Sequence, residues 1–223
     1  MIHAVLFGAT GMVGAGVLLE CLDDPRVQSV LAIGRSPTGR SHPKLREILR
    51  TDFFDYDGLQ SEFASCDACF FCLGVTSIGL DEAEYTHLTY DLATAAARAM
   101  AAVNTGMTFC YVSGVGTDST GRGRTMWARV KGRTENAILA MPFKAAFMFR
   151  PGFIQPVKGV RSRTAWVQAA CTVLGPVAPL LLRVAPNHVT TTARLGRAMI
   201  RVAERGFDTR ILHAREINAL AGE

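Results

Sequence analysis

The run GATGMVG, residues 8–14, constrains this chain more than any other stretch. It follows directly on the apolar run Ile2–Phe7, which reads as a strand, and opens a helical pattern that continues to about Leu22. Its glycines, Gly8, Gly11 and Gly14, stand at G-x-x-G-x-x-G. Gly8 permits a tight turn, Gly11 lets the backbone approach a pyrophosphate, and Gly14 lets helix and strand pack closely. The free amides at the helix start then face the anion. Strand, loop and helix come in the order that a dinucleotide requires, so Gly8, Thr10, Gly11, Met12, Val13 and Gly14 are expected to form the cradle.

The rest of the chain repeats the strand–helix alternation. Apolar runs at Ser29–Ile33, Leu45–Thr51, Ala68–Leu73, Met107–Ser113 and Lys144–Phe149 predict further strands. Asp81–Asn104 predicts one long alanine-rich helix, and Thr125–Leu139 a second, entered from a loop carrying Gly114, Gly116, Gly121 and Gly123. Ala193–Glu204 predicts a returning helix and Arg210–His213 a final short strand. This alternation argues for an α/β fold, a doubly wound parallel sheet of the Rossmann type with a small helical C-terminal region. At 223 residues the chain suffices for one core, so a single domain is expected over 1–223, with 153–192 as a variable cap or interface segment.

Charge is unevenly spread. Residues 1–121 carry 7 Lys and Arg against 14 Asp and Glu, and residues 122–223 carry 17 against 5. The basic half suits phosphate-bearing ligands or an anionic surface. Its arginines at 194, 197, 201 and 205 fall at helical spacing without interleaved exposed aromatics, so no nucleic acid partner is expected. Cys66, Cys69 and Cys72 form C-x2-C-x2-C, but an odd separation in a strand puts Cys69 and Cys72 on opposite faces, so no metal is expected. Reduced thiols and the absence of a signal-peptide pattern predict a cytoplasmic protein. The apolar stretch Ala165–Leu182 is broken by Gly175, Pro176 and Pro179; it predicts two short helices and a homodimer face rather than a transmembrane span.

The end of the second strand selects the cofactor. An acid there would bind the ribose 2′-hydroxyl and repel a 2′-phosphate. This chain has Gly34-Arg35-Ser36 instead. Arg35 can clamp a phosphate and Ser36 can donate to it, which predicts NADP over NAD. Asp52 and Phe53, at the end of the third strand, are placed to meet the adenine edge; Asp52 is equally read as a strand-terminating residue.

Taken in order, GATGMVG, GRS, CLGVTS (Cys72–Ser77), YVSGVG (Tyr111–Gly116), a W-x-x-x-K pair and FRPG (Phe149–Gly152) resemble the atypical short-chain dehydrogenase/reductases. The resemblance is to the Tat-interacting-protein type and its NAD(P)-binding, epimerase-like relatives, over nearly the whole chain. It implies that Gly74 to Ser77 lie along the nicotinamide half of the cofactor, with Leu73, Gly74, Val75 and Thr76 among the cofactor-binding residues. It implies that Ser113 positions a substrate carbonyl, that Lys131 holds the nicotinamide ribose, and that Pro151, Gly152, Phe153 and Ile154 close over the nicotinamide. Trp127 stands where such proteins carry a catalytic tyrosine.

An indole N–H donates a hydrogen bond but does not titrate in a useful range, so Trp127 cannot complete a proton transfer. Tyr111, Tyr85, His87, Tyr90 and Lys131 are the groups available to replace the phenol. A flat indole also serves as an apolar wall beside a nicotinamide. The expected function is therefore an NADP-binding oxidoreductase-like protein acting on a small, unidentified carbonyl substrate, or a non-catalytic NADP-sensing module.

Overall fold

The computed structural model describes residues 1–160 and 187–222. The Ala165–Leu182 stretch, with its proposed dimer face, lies outside them. Seven strands form one parallel sheet: β1 (Ile2–Phe7), β2 (Val27–Gly34), β3 (Leu45–Leu49), β4 (Ala68–Phe71), β5 (Thr108–Val112), β6 (Ala145–Arg150) and β9 (Ile211–His213). Their spatial order is β3-β2-β1-β4-β5-β6-β9. The order reverses direction at β1, and the crevice beside β1 and β4 at their carboxyl ends is where a doubly wound sheet binds a ligand.

Alternate residues of each strand feed two apolar layers. Leu6, Phe70, Cys110 and Phe147 pack with α1 (Met12–Asp23), α6 (Thr192–Arg205) and α7 (Ala214–Gly222). Val5, Phe7, Phe71 and Tyr111 pack on the other face with α2 (Gln60–Ala64), α4 (Leu92–Ala101) and α5 (Met126–Leu139). The cysteines obey the same parity: Cys69 belongs to the second layer and Cys72 packs against the first.

Several boundaries differ from the sequence expectation. β4 ends at Phe71 rather than Leu73, because the chain leaves the sheet where Cys72 passes against the Gly8 turn. β3 ends at Leu49 rather than Thr51. The single helix expected over Asp81–Asn104 is three pieces: α3 (Glu82–Thr86), a π turn (His87–Asp91) and α4. Asp81 and Glu84 close a capping box at its start, which fixes that end.

A feature without a sequence signal ties off the 153–192 segment. β7 (Phe153–Gln155) and β8 (Val189–Thr191) form a separate parallel pair, in register Phe153 to Val189. The two ends of the segment are thus hydrogen-bonded to each other at the base. Among the described residues no helix is long and apolar enough to cross a membrane.

Candidate functional site

The glycine loop has the geometry of an anion cradle. Gly8 sits at φ +80°, and a Cβ there would lie 2.8 Å from the backbone of Cys72 and Leu73. A Cβ on Gly14 would lie 2.1 Å from the Gly8 carbonyl oxygen, so α1 presses directly on the turn. Gly11 caps α1 without a side chain, and the first helical turn carries no acid. The first bond into the helix is from the Ala15 amide to the Gly11 oxygen, 2.8 Å. The amides of Met12, Val13 and Gly14 therefore lack helical acceptors. Backbone donors, no carboxylate and no obstructing side chain fit a pyrophosphate.

Beside this loop lies a cavity of about 200 Å³ that brings together Arg35, Asp52, Phe53, Leu73, Gly74 and Val75. Leu88 and Leu92, from the π turn and α4, add apolar wall. Arg35 is exposed, with no hydrogen bond to the described residues, so its guanidinium is free for an anion. Asp52 lines the cavity and also closes a turn, its Oδ1 accepting the Phe54 amide at 2.7 Å. Thr76 is exposed and accepts the Ile78 amide at 3.3 Å. Leu73 to Val75 thus share a cavity with the Arg35 end of the crevice rather than standing apart from it.

The second half of the site is built on α5. Trp127, Lys131 and Glu135 follow one another at i, i+4, so they lie along one stripe of the helix. The loop before α5 is fixed by Asp118, whose carboxylate accepts from Thr120 and from the Gly123 amide. The Thr120 hydroxyl, then the Gly123 amide, hold its carboxyl down at about 2. A Cβ on Gly132 would lie 1.7 Å from the Asp118 carbonyl oxygen, so α5 meets this loop backbone to backbone. The contact turns Trp127 towards Gly116, 3.4 Å from the position a Cβ there would take.

Lys131 Nζ is half-buried and donates to the Ser113 carbonyl oxygen at 2.6 Å. Burial pushes its ammonium down to about 8, while Glu135 acts in the opposite direction. Ser113 is buried, and its hydroxyl donates to Glu135 Oε1 at 2.5 Å. The hydroxyl also lies 3.1 Å from the Phe149 carbonyl oxygen, so its single proton has two acceptors, Glu135 and Phe149. Arg150 Nε donates to the same carboxylate oxygen at 3.0 Å, and Arg150 Nη2 pairs with Oε2. Arg150 also reaches the Ser119 hydroxyl. The Val115 amide bonds the Pro151 carbonyl at 2.8 Å, which joins the loop after β5 to the Pro151–Ile154 segment. Gly152 packs on the His188 carbonyl, and Phe153 and Ile154 enter β7.

Glu135 and Arg150 were not anticipated from the sequence. The signal was present: Glu135 continues the four-residue spacing of Trp127 and Lys131, and Arg150 is the arginine of FRPG. The other candidates for the missing phenol are occupied elsewhere. Tyr111 and Tyr85 are buried, and burial pushes both phenols up. Tyr90 lies under the Arg133 guanidinium, and His87 stacks on Phe54. Among the described residues no group of three His, Cys, Asp or Glu is placed to hold a metal ion.

No protein-family model matches the chain. Among curated proteins it is 30% identical over 161 residues to the mitochondrial protein fmp52 of Emericella nidulans, covering 69% of this chain and 67% of that one. It is 25% identical over 209 residues to the mitochondrial protein fmp52-2 of Aspergillus oryzae, covering 92% and 90%. Among solved structures, Gre2 of Candida albicans in complex with NADPH superposes with a TM-score of 0.71 at 13% identity, over 96% of this chain and 78% of that one. The UDP-N-acetylglucosamine 4-epimerase of Methanobrevibacter ruminantium superposes at 0.68 and 15%, over 99% and 80%. The expected Rossmann-type α/β fold is thus shown. The expected cytoplasmic location is overturned, because these two curated relatives are named as mitochondrial proteins. At 30% identity across two thirds of the Emericella protein, the chain belongs to the fmp52 family.

Proposed function

We propose that this protein binds NADP in the crevice between the glycine loop and the 200 Å³ cavity, and acts as an oxidoreductase on a small carbonyl. The observation that carries the reading is the cradle itself: an uncapped, acid-free start of α1 pressed on the Gly8 turn, with Arg35, unpaired among the described residues, on the adjoining cavity. Arg35 and Ser36 would hold the 2′-phosphate, and Asp52, Phe53 and Leu73 to Val75 would border the adenine half. Lys131, Trp127 and the Pro151–Ile154 segment would border the nicotinamide half, with Trp127 as an apolar wall. The neighbours solved with NADPH or a nucleotide sugar support this use of the crevice. When bound, a reduced nicotinamide supplies a hydride. We take 1–223 as one functional unit, with 153–192 as its cap, and take mitochondria, named for both relatives, as its setting.

A non-catalytic NADP sensor is the second reading, favoured by one observation: the residue one turn before Lys131 is an indole, whose N–H donates a hydrogen bond but does not titrate in a useful range. Calorimetric titration with NADPH and NADH tests the shared part of both readings. Micromolar NADPH binding, weaker for NADH, is expected; no heat with either cofactor would refute it. Carbonyl-dependent NADPH oxidation then separates the enzyme from the sensor.

A further inference from the structure

We propose, on the NADP-binding reading above, that Lys131 is itself the proton donor of this site and takes the place of the absent phenol. The chain has four tyrosines, and each is otherwise engaged. Tyr56 is wedged between Phe7 and Phe63, Tyr85 and Tyr111 are buried, and Tyr90 lies beneath Arg133. The Ser113 hydroxyl is engaged by Glu135 and the Phe149 carbonyl. Lys131 is the remaining proton-bearing side chain on the Trp127 stripe whose head group is not spent on an acid. Among the described residues its Nζ makes one hydrogen bond, to the Ser113 carbonyl, which leaves two N–H directions for a substrate oxygen.

The surrounding charges explain why this ammonium is not stabilised as an ordinary ion pair. Glu135, one turn further along α5, is already shared between Arg150 and Ser113. Of the groups on elements packed against α5, Glu82 of α3 is bound to Arg129, and Asp91 of the π turn faces His87. Tyr85 and Tyr111 are neutral and buried. Burial then outweighs the opposing pull of Glu135 on Lys131, and a donor that titrates near 8 suits proton transfer around neutral pH. The Glu135–Arg150 pair is a positioning device, because it fixes Ser113 and through its carbonyl fixes Nζ.

The reaction balances. A hydride from the reduced nicotinamide reaches the carbonyl carbon, the C=O π bond breaks, and the oxygen takes one proton from Lys131 Nζ. The carbonyl is reduced to an alcohol, the cofactor is oxidised, and water returns a proton to the neutral amine.

Two measurements test this. In cofactor-free protein, acetic anhydride labelling of Lys131 across pH, read by peptide mass spectrometry, is expected to show a midpoint near 8. A midpoint at the ordinary 10.5 overturns the proposal. With NADPH and hexanal, benzaldehyde or phenanthrenequinone, turnover is expected to fall about tenfold per pH unit above that midpoint. Lys131→Met should lose about 100-fold or more in kcat, with NADPH affinity by calorimetry changed less than about tenfold. Lys131→Arg should bind NADPH and stay inactive, since a guanidinium does not release its proton. Binding of NADPH by the native protein without any carbonyl-dependent oxidation overturns the proposal alone, as does unchanged kcat in Lys131→Met. No NADPH binding by the native protein overturns the functional reading as well.

Discussion

The Ser113 hydroxyl donates to Glu135 Oε1 at 2.5 Å, and Glu135 has no exposed surface at all. A carboxylate so placed is tolerable because Arg150 and Ser113 together satisfy its oxygens. Glu135→Gln removes the charge that Arg150 faces and leaves a nearly buried guanidinium uncompensated. We expect a loss of about 3 kcal/mol or more in urea unfolding. The double variant Glu135→Gln, Arg150→Met should recover part of that loss. If the single variant is as stable as the native protein, the network does not hold the end of β5 to α5.

Lys131 makes stability depend on pH in a defined direction. Its folded value is about 8, below the ordinary 10.5. Below about 8 both folded and unfolded chains hold this proton, so its burial cost is fully present. Between about 8 and 10.5 the unfolded chain holds the proton and the folded chain does not. Stability should therefore rise with pH across that window, relative to Lys131→Met. At ~1.4 kcal/mol per pH unit the effect is capped near ~3 kcal/mol. Denaturant midpoints of the two proteins at pH 7 and pH 10 measure it; parallel curves would place Lys131 in an ordinary solvated environment.

Arg35 is exposed on the wall of the 200 Å³ cavity. Arg35→Ala should reduce the preference for NADPH over NADH by about tenfold or more, which corresponds to the loss of one charge-assisted contact. Calorimetry with both cofactors reads the ratio. An unchanged ratio removes Arg35 from the 2′-phosphate site.

Gly132 has the tightest backbone approach on α5, 1.7 Å from a would-be Cβ to the Asp118 oxygen. Gly132→Ala must push the 114–124 loop away from the helix. A fall in thermal midpoint of several degrees is expected, together with weaker NADPH binding, because that loop positions Trp127. A variant with the native midpoint would show that the loop and α5 are not in backbone contact.

Trp127 and Trp166 are the two indoles of the chain. In a Trp166→Phe background, saturation with NADPH should quench the remaining fluorescence. A signal unmoved at saturation would place the nicotinamide away from Trp127 and Gly116.

Most strands and the start of α1 were legible because their signals are local. Apolar runs such as Ile2–Phe7 and Ala146–Phe149 demand burial wherever they lie, and G-x-x-G-x-x-G describes a turn within seven residues. Strand parity likewise foretold that Cys69 and Cys72 face different layers. What escaped was pairing across distance. Glu135 meets Arg150 only because β5 and β6 are neighbours in the sheet and α5 presents that stripe to them. Phe153 meets Val189 only because the ends of the cap segment return to one place. The π turn inside the long helix has no periodic signature, since one extra residue per turn leaves composition unchanged. The linear order of residues thus specified the glycine turn, the start of α1 and the α5 spacing of Trp127 and Lys131. Packing alone determined that Ser113 turns to Glu135 and that Lys131 is half-buried with no ion pair among the described residues, because burial and charge pairing belong to the assembled neighbourhood and not to any one segment.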